Sequence, residues 1–599
     1  MTPPLDFIPG PAGNDRPRAL FESHSFRDRF RASYRFAGLE RVIEARTPDA
    51  VMPALAAVET AVGRGWHAAG FVSYEAASGI NPALPEREPL PGLPLVWFGV
   101  FRERFEYDAS DRAGDWGGST ASVVGERHLS VDADRYAAAV AVIHEAIARG
   151  ETYQVNYTLR QRFPVAGDPF ALYRQLALSQ RAPFCAWLDI GDRRILSASP
   201  ELFFARRGEE ILMRPMKGTA PRAPEAAADR VAAQRLRDDP KERAENLMIV
   251  DLVRNDLGRI AETGSVRVES LFDVERYPTV HQLTSTVAAR LRPGTTLRDI
   301  FAALFPCGSV TGAPKRRTME LIAELEPEPR GLYCGAIGFV SPGDDAVFSV
   351  AIRTLLVDGK GRAELGLGSG ITWDARAEAE YAECLAKGRF VDLPPREFRL
   401  IEALLCRDGD YPRRERHLSR LAASADYFGF RCDVSALRAA LDEAGRGLRG
   451  KHKVRLLLAR DGTFEIDGEP LAKGLGRPLR VAPATTPVDS RDWSRYHKTE
   501  RRQLLDDARS RRPEADEVLF VNERGELTEG SYHNLVLRLE GRLLTPALSC
   551  GLLPGVLRAE MLERGLIAEA VLTPDDLRRA DGLWLINSVR GWRSALLAP

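Results

Sequence analysis

Blocks of apolar residues, short and mostly closed by Gly or Pro, punctuate the chain. Gly70-Phe71-Val72-Ser73-Tyr74-Glu75 and Leu95-Val96-Trp97-Phe98-Gly99-Val100-Phe101 predict strands. The longest apolar run, Ala137 to Ile147, contains His144 and Glu145 and predicts an amphipathic helix, too short and too polar to span a membrane. Glu210-Ile211-Leu212-Met213 runs into Arg214-Pro215-Met216-Lys217-Gly218-Thr219, which predicts a strand ending in a tight glycine turn that carries Lys217. Polar Lys241 to Asn246 leads into Leu247-Met248-Ile249-Val250-Asp251-Leu252-Val253, apolar nearly all round, which predicts a buried helix. Glu242 and Glu245 share a face of that helix, and Ala379 to Lys387 repeats the spacing with Glu380 and Glu383. Leu365-Gly366-Leu367-Gly368-Ser369-Gly370-Ile371 reads as a glycine-rich strand, and the loop 109–119, rich in Asp, Gly and Ser, as an exposed one.

Between 131 and 389 these elements alternate at the density of an α/β or α+β fold. A helical pattern then ends in Lys387-Gly388 and Pro394-Pro395 follows, which marks a boundary. The expected organisation is 1–130 as the N-terminal part of a first unit, 131–389 as its catalytic domain, 390–397 as a linker and 398–599 as a second unit with its own core. The 84 basic and 84 acidic residues balance, so no bulk field draws in nucleic acid or an anionic membrane. The first residues carry no basic, apolar leader pattern. Seven scattered cysteines without CxxC spacing argue against structural zinc and disulfides and favour a reducing cytoplasm. None lies in a Gly-x-Cys-x-Gly elbow, so no glutaminase domain is expected in this sequence.

Chemistry narrows the picture. A lysine held on a glycine turn becomes a nucleophile if it is desolvated, although most Lys-Gly pairs are solvated turns. Two Glu faces that converge would offer oxygen ligands to Mg²⁺; unconverged, they are solvated surface carboxylates. Gly308-Ser309-Val310-Thr311-Gly312-Ala313-Pro314-Lys315 fails the spacing of a phosphate loop. In the second half, Lys498 lies in a polar run, Glu529 follows a predicted strand at Glu517 to Asn522, and Pro554-Gly555 opens a helix whose free N–H groups suit a phosphate.

Pro-Met-Lys-Gly-Thr, the 241–259 helix, His281-Gln282-Leu283, Gly308 to Lys315, Val350-Ala351-Ile352-Arg353-Thr354 and the glycine-rich strand occur in the order of the chorismate-utilising enzymes. The resemblance covers about 20–389. It implies a Mg²⁺-dependent chorismate site in which Glu245 and Glu383, with Glu242 and Glu380 beside them, match the metal positions. Thr311, Arg353 and the backbone of Gly368, Ser369 and Gly370 match the positions holding substrate carboxylates, and His281 one beside the ring hydroxyl. Anthranilate synthases resemble this chain but carry Ala where Lys217 stands. Lys217 looks like the nucleophile of the aminodeoxychorismate-forming branch, with Glu201 as its acid/base partner. Isochorismate synthases place a water-activating Lys where Gln154 stands, and Gln is no base. Ammonia, delivered by a separate glutaminase, is therefore the expected nucleophile at C4. Leu20-Phe21-Glu22-Ser23 is similar to the tryptophan-pocket element of anthranilate synthases.

Residues 397–599 resemble fold-type IV pyridoxal-phosphate enzymes, which include D-amino-acid and branched-chain aminotransferases. Lys498 matches the cofactor-bonded lysine, Glu529 the carboxylate on the pyridine nitrogen and Arg420 the phosphate arginine. Val556, Leu557, Ser588 and Val589 match phosphate-loop positions, and a dimer through this unit would accompany the fold. Beside the first unit's expected product, a lyase yielding 4-aminobenzoate and pyruvate is the reading in context. Ala403 stands where relatives show Thr, and the first strands look shortened at 390–400. The alternatives are an anthranilate-type synthase joined to a class IV aminotransferase, or a catalytically silent C-terminal scaffold.

Overall fold

The structure, a computed structural model, describes residues 18–25, 29–109, 123–393 and 397–598. The stretch read for a leader, most of the 109–119 loop and residues 394–396 of the expected linker lie outside these. Ala109, at the edge of that loop, is buried rather than exposed. The chain divides into two compact units: 1–221 with 233–396, and 222–232 with 397–599. The short stretch 222–232 thus belongs with the second unit although it lies between Lys217 and Glu242 in sequence.

Among the described residues the first unit has nineteen mutually paired strands. One antiparallel path runs from Val280–Arg290 through Glu210–Arg214, Leu202–Arg207, Asp345–Val350, Ala336–Ser341, His67–Val72 and Val96–Tyr107. It continues through Ser33–Ala45, Ala19–Glu22, Phe184–Asp189, Arg193–Ser199, Thr354–Asp358 and Arg362–Ile371 to Gln154–Ala166. Helices cover the sheet where its strands turn apolar faces outward: Val51, Leu55 and Val58 of Pro48–Gly63 and Ile249, Val250 and Val253 of Pro240–Gly258 pack on Phe98, Phe204 and Phe348. The predicted helix at 137–147 is Ala133–Ala148, capped by the Asp132 side chain, and buries Tyr136, Val140 and Ile143.

Two expectations are corrected. The Pro240–Gly258 helix is not buried all round: Asn246, Ile249, Val250, Val253, Asp256 and Leu257 face inward, while Leu247 is 44% exposed and Asp251 and Arg254 pair with each other in solvent. Its apolar residues outnumber what one face needs, so the sequence pattern overstates its burial. Lys217 does not end a strand on a turn. It lies inside the strand Met216–Pro221, whose register against Val280–Arg290 slips between Met216 and Thr219. Gly218, at φ +107°, supplies the backbone that an L side chain resists, so Lys217 and Gly218 form a bulge that re-aims the lysine.

The second unit has a three-stranded antiparallel sheet, Leu400–Arg407, Lys451–Leu458 and Phe464–Pro470, over helices Arg414–Phe428 and Val434–Gly445. Eight further strands between Leu479 and Leu597 form a mixed sheet around Val481, Leu519, Leu535 and Leu585. Among the described residues no helix is long and apolar enough to cross a membrane, and the seven cysteines are free thiols.

Candidate functional site

The two ends of the first unit's strand path meet at Lys217. A Cβ added to Gly370, on the strand Arg362–Ile371, would stand 2.7 Å from Lys217 Nζ and 2.9 Å from Gln154 Nε2. The glycine is required here by close approach, not by its φ. Asn246, fully buried, donates from Nδ2 to the carbonyl of Lys217 (3.1 Å) and accepts from the Ser285 hydroxyl (2.6 Å), which pins the bulge to the helix. Asn246 was visible only as a motif letter, because its partners lie 29 and 39 residues away.

The helix Pro240–Gly258 begins with Asp239 accepting from the amides of Lys241 and Glu242 and with Pro240 at its first position. This start places Glu242 and Glu245 at the bulge. Lys217 Nζ is 3.2 Å from Glu245 Oε2, with both side chains under one-fifth exposed. An ammonium held this way is no nucleophile until a proton leaves it. Burial, then the Glu245 and Asp239 charges, raise the pKa of Glu242, with Lys217 opposing. Glu201 is buried and accepts from Ser309 Oγ at 2.6 Å. Burial pushes its pKa up to about 7, and Ser309, the Met216 amide and Lys217 hold it from rising further. A carboxyl poised there gives or takes a proton near neutrality. Ser309 escaped the sequence reading because only the fold brings it to Glu201.

Both amide atoms of Gln154 are buried without a hydrogen-bond partner and face the same space as Lys217. Such orphans are what a polar ligand or an ordered water completes. Arg353 holds a left-handed φ of +49°, donates from Nη1 to Gln180 Oε1 at 2.7 Å, and has its pKa pulled down by desolvation. A guanidinium so short of anions suits a carboxylate. Thr311 is buried with its hydroxyl on the Cys307 carbonyl at 3.1 Å. His281 is buried in Val280–Arg290, opposite Ala220. The ladder between Thr354–Asp358 and Arg362–Ile371 ends at Leu365, so Gly368, Ser369 and Gly370 pair on one edge only. Lys315, by contrast, is tied to Asp256 at 2.9 Å and to the Leu304 carbonyl at 3.1 Å, a structural role.

The donors for a divalent cation are present but not drawn together. The Ser369 hydroxyl donates to Glu380, and Lys387 pairs with Glu383 at 2.7 Å. Burial opposes ionisation of Glu383, but Lys387 and then Lys217 outweigh it and lower its pKa. No three acidic, His or Cys side chains among the described residues form a metal cluster. Glu242, Glu245 and Glu383 all feel the Lys217 charge, with Glu242 raised by burial and then by its like-charged neighbours, a donor set that fits a hard cation in kind. Glu22 is not free for a ligand: Tyr173 (2.7 Å), Arg174 (2.9 Å) and Tyr107 (3.0 Å) donate to it, and the adjoining cavity holds about 60 Å³.

In the second unit Lys498 is half-buried at a cavity of about 720 Å³ lined also by Ala403, Arg420, Glu529, Gly555, Val556, Ser588 and Val589. This removes the surface-loop reading of its polar run. Burial, then the Arg420 charge, bring the Lys498 pKa down to about 8. Arg420 forks onto Glu402 through Nε (2.9 Å) and Nη2 (2.7 Å) and reaches the Pro554 carbonyl through Nη1 (3.1 Å). Burial would raise the Glu402 pKa, but Arg420 and His417 outweigh it and hold it at about 2. Glu529 meets Arg495 at 3.2 Å; burial raises its pKa and Arg495 offsets part of the rise. Val556, capped by Gly555, starts the helix Val556–Glu563 with Leu557 next. A Cβ on Gly555 would fall 1.8 Å from Asn534 Oδ1. The Val589 amide already donates to Asn587 Oδ1 at 3.1 Å, so that phosphate-loop position is less open than its motif implies. A half-buried low-pKa lysine, a buried carboxylate, an arginine and a helix start around one cavity fit pyridoxal 5'-phosphate.

Residues 20–392 match the family of chorismate binding enzymes. The chain belongs to the chorismate binding enzymes. Residues 399–597 match amino-transferase class IV, which gives the two-unit architecture its second fold. Aminodeoxychorismate synthase component 1 of Klebsiella aerogenes is 47% identical over 238 residues, 40% of this chain and 52% of that protein. Anthranilate synthase component 1 of Streptomyces coelicolor is 44% identical over 251 residues, 42% of this chain and 49% of that protein. The chain thus spans about half the length of these curated relatives. Anthranilate synthase component I from Streptococcus pneumoniae TIGR4 has a similar structure, with TM-score 0.54 and 27% identity over 61% of this chain and 92% of that one.

Proposed function

We propose that this chorismate binding enzyme makes 4-aminobenzoate from chorismate and ammonia, one step in each unit. The observation that carries the reading is Lys217, aimed by its bulge into the space shared with Gln154, Gly370 and Glu245, near buried Glu201. Lys217 Nζ, its extra proton passed to solvent, attacks C2 of chorismate as a free amine and leaves as a free amine later. The ring double bonds shift and the C4 hydroxyl leaves as water with the proton of Glu201. Ammonia from a separate glutaminase adds at C4, the double bonds shift back and the C2–Nζ bond breaks. Glu201 recovers its proton from the new amine, so the balance is chorismate and ammonia to 4-amino-4-deoxychorismate and water. Arg353 and Thr311 orient one carboxylate. Glu242, Glu245, Glu380 and Glu383 would hold Mg²⁺, which neutralises another.

In the second unit bound pyridoxal 5'-phosphate would supply an electron sink. Lys498, at about pH 8 half unprotonated, takes the C4 proton of the amine product as the C3–O bond breaks. The leaving enolpyruvate takes that proton at its methylene carbon and departs as pyruvate, and the ring becomes aromatic. Arg420 and the amides of Val556 and Leu557 hold phosphate, and Glu529 keeps the pyridine nitrogen protonated. The test is intact mass after chorismate and Mg²⁺ without ammonia: an adduct of chorismate minus water on Lys217 supports the reading, and an unmodified lysine under turnover-competent conditions opposes it.

Two substitutions probe the geometry. Glu201 must be protonated to act as acid, so synthase kcat/KM falls as pH rises through about 7. Ser309 stabilises the carboxylate, so Ser309→Ala raises that pKa and moves the alkaline limb up by about one pH unit, a shift expected for one lost hydrogen bond. Gly370→Ala displaces Lys217 and Gln154, both flexible at their ends, so the synthase step slows by at least about tenfold while thermal stability changes little.

A further inference from the structure

The cavity at Lys498 shares Leu471, Ala472, Lys473, Ser588, Arg590 and Arg593 with a second cavity of about 810 Å³ in the same unit. Every charged side chain lining that second cavity is cationic. Arg413 and Arg477 are neutralised by Glu560 and Asp516. Arg407, Lys451, Lys473, Arg590 and Arg593 have no carboxylate partner among the described residues. Arg590 is held in place, donating from Nη1 to the Ala472 carbonyl at 2.9 Å, and Arg593 lies beside Gly474, where an added Cβ would be 3.3 Å from its Nη1.

Like charges gathered around one concavity repel unless an anion enters, and a cavity focuses their field. The cations at Lys498 do not explain this cluster: Arg420 is engaged with Glu402 and stands at the phosphate end, and Arg495 is engaged with Glu529. Of the five, Lys473, Arg590 and Arg593 also line the cavity at Lys498.

We propose that Lys473, Arg590 and Arg593 form a carboxylate-binding subsite that makes the second unit selective for a cyclic substrate with two carboxylates. The proposal rests on the lyase reading and names the substrate feature its site selects. The amine end of the substrate reaches Lys498, and a carboxylate stays on the cationic wall.

The test is calorimetric titration of the full holo chain and its Lys473→Gln/Arg593→Gln variant with isophthalate, benzoate and inorganic phosphate. Cofactor absorbance and circular dichroism establish that both are folded and loaded. Isophthalate bound at Arg353 is common to both proteins, so the difference reports the second unit. Expected is a loss of at least about tenfold in isophthalate affinity, a change under about threefold for benzoate, and restoration in Lys473→Arg/Arg593→Lys. Unchanged isophthalate binding, an equal loss for benzoate, or displacement of isophthalate by phosphate overturns the subsite. If the double variant fails to load, Lys473→Gln alone, at an exposed loop position, carries the same comparison. Pyruvate release from 4-amino-4-deoxychorismate by the unaltered chain tests the lyase reading separately: binding without release overturns that reading and leaves the subsite standing.

Discussion

Lys217→Ala is expected to abolish aminodeoxychorismate formation, by at least about 10³-fold, while leaving the fold intact, because removing a covalent nucleophile removes the route and not just one contact. The side chain contributes little to packing. It lies in a bulge whose backbone is held by Asn246 and by pairing with Val280–Arg290. Its one ion pair, with Glu245 at 3.2 Å, is lost. That leaves Glu242, Glu245 and Glu383 without the lysine's positive charge, so the variant is expected to bind Mg²⁺ more tightly. If the variant gains anthranilate formation, the lysine directs ammonia to C4. If aminodeoxychorismate forms at the original rate, no covalent step runs through it.

Lys498→Ala is expected to silence the second step alone. The variant should lose the visible absorbance that unaltered protein acquires on adding pyridoxal 5'-phosphate, and 4-aminobenzoate formation should fall by at least about 10³-fold. Aminodeoxychorismate would then accumulate from chorismate and ammonium, since the first unit's site contains none of the altered atoms. The lowered pKa makes the lysine usable: burial and Arg420 bring it to about 8, so the neutral amine is populated at neutral to mildly alkaline pH. The second step should therefore gain rate as pH rises toward 8, the opposite slope from the Glu201-dependent first step. A holo variant that keeps its absorbance would show that another group holds the cofactor.

The contrast between pattern and structure is instructive at particular residues. Strands with uninterrupted apolar runs, such as the one at 95–101, and the helix at 137–147 were legible because burial imposes their period directly. The helix at 240–258 was legible as a helix but not in its burial, since Leu247 adds an apolar residue outside the inward face. The bulge at Lys217 was invisible, because a register slip depends on the partner strand and only Gly218 hinted at it. The roles of Asn246, Ser309, Arg495 and Asn534 were likewise out of reach: each acts through a partner fixed by the tertiary fold. The excursion of 222–232 into the second unit has no signature in composition. Arg222 there pairs with Asp229 at 2.7 Å and lies 4.2 Å over the Tyr427 ring, contacts no local pattern announces.

Product analysis of the purified chain, supplied with chorismate, Mg²⁺, ammonium and pyridoxal 5'-phosphate, tests the central claim most directly. The expected products are 4-aminobenzoate and pyruvate in equal amounts. Anthranilate as the aromatic product would contradict the assignment of Lys217 and, with it, the two-step account.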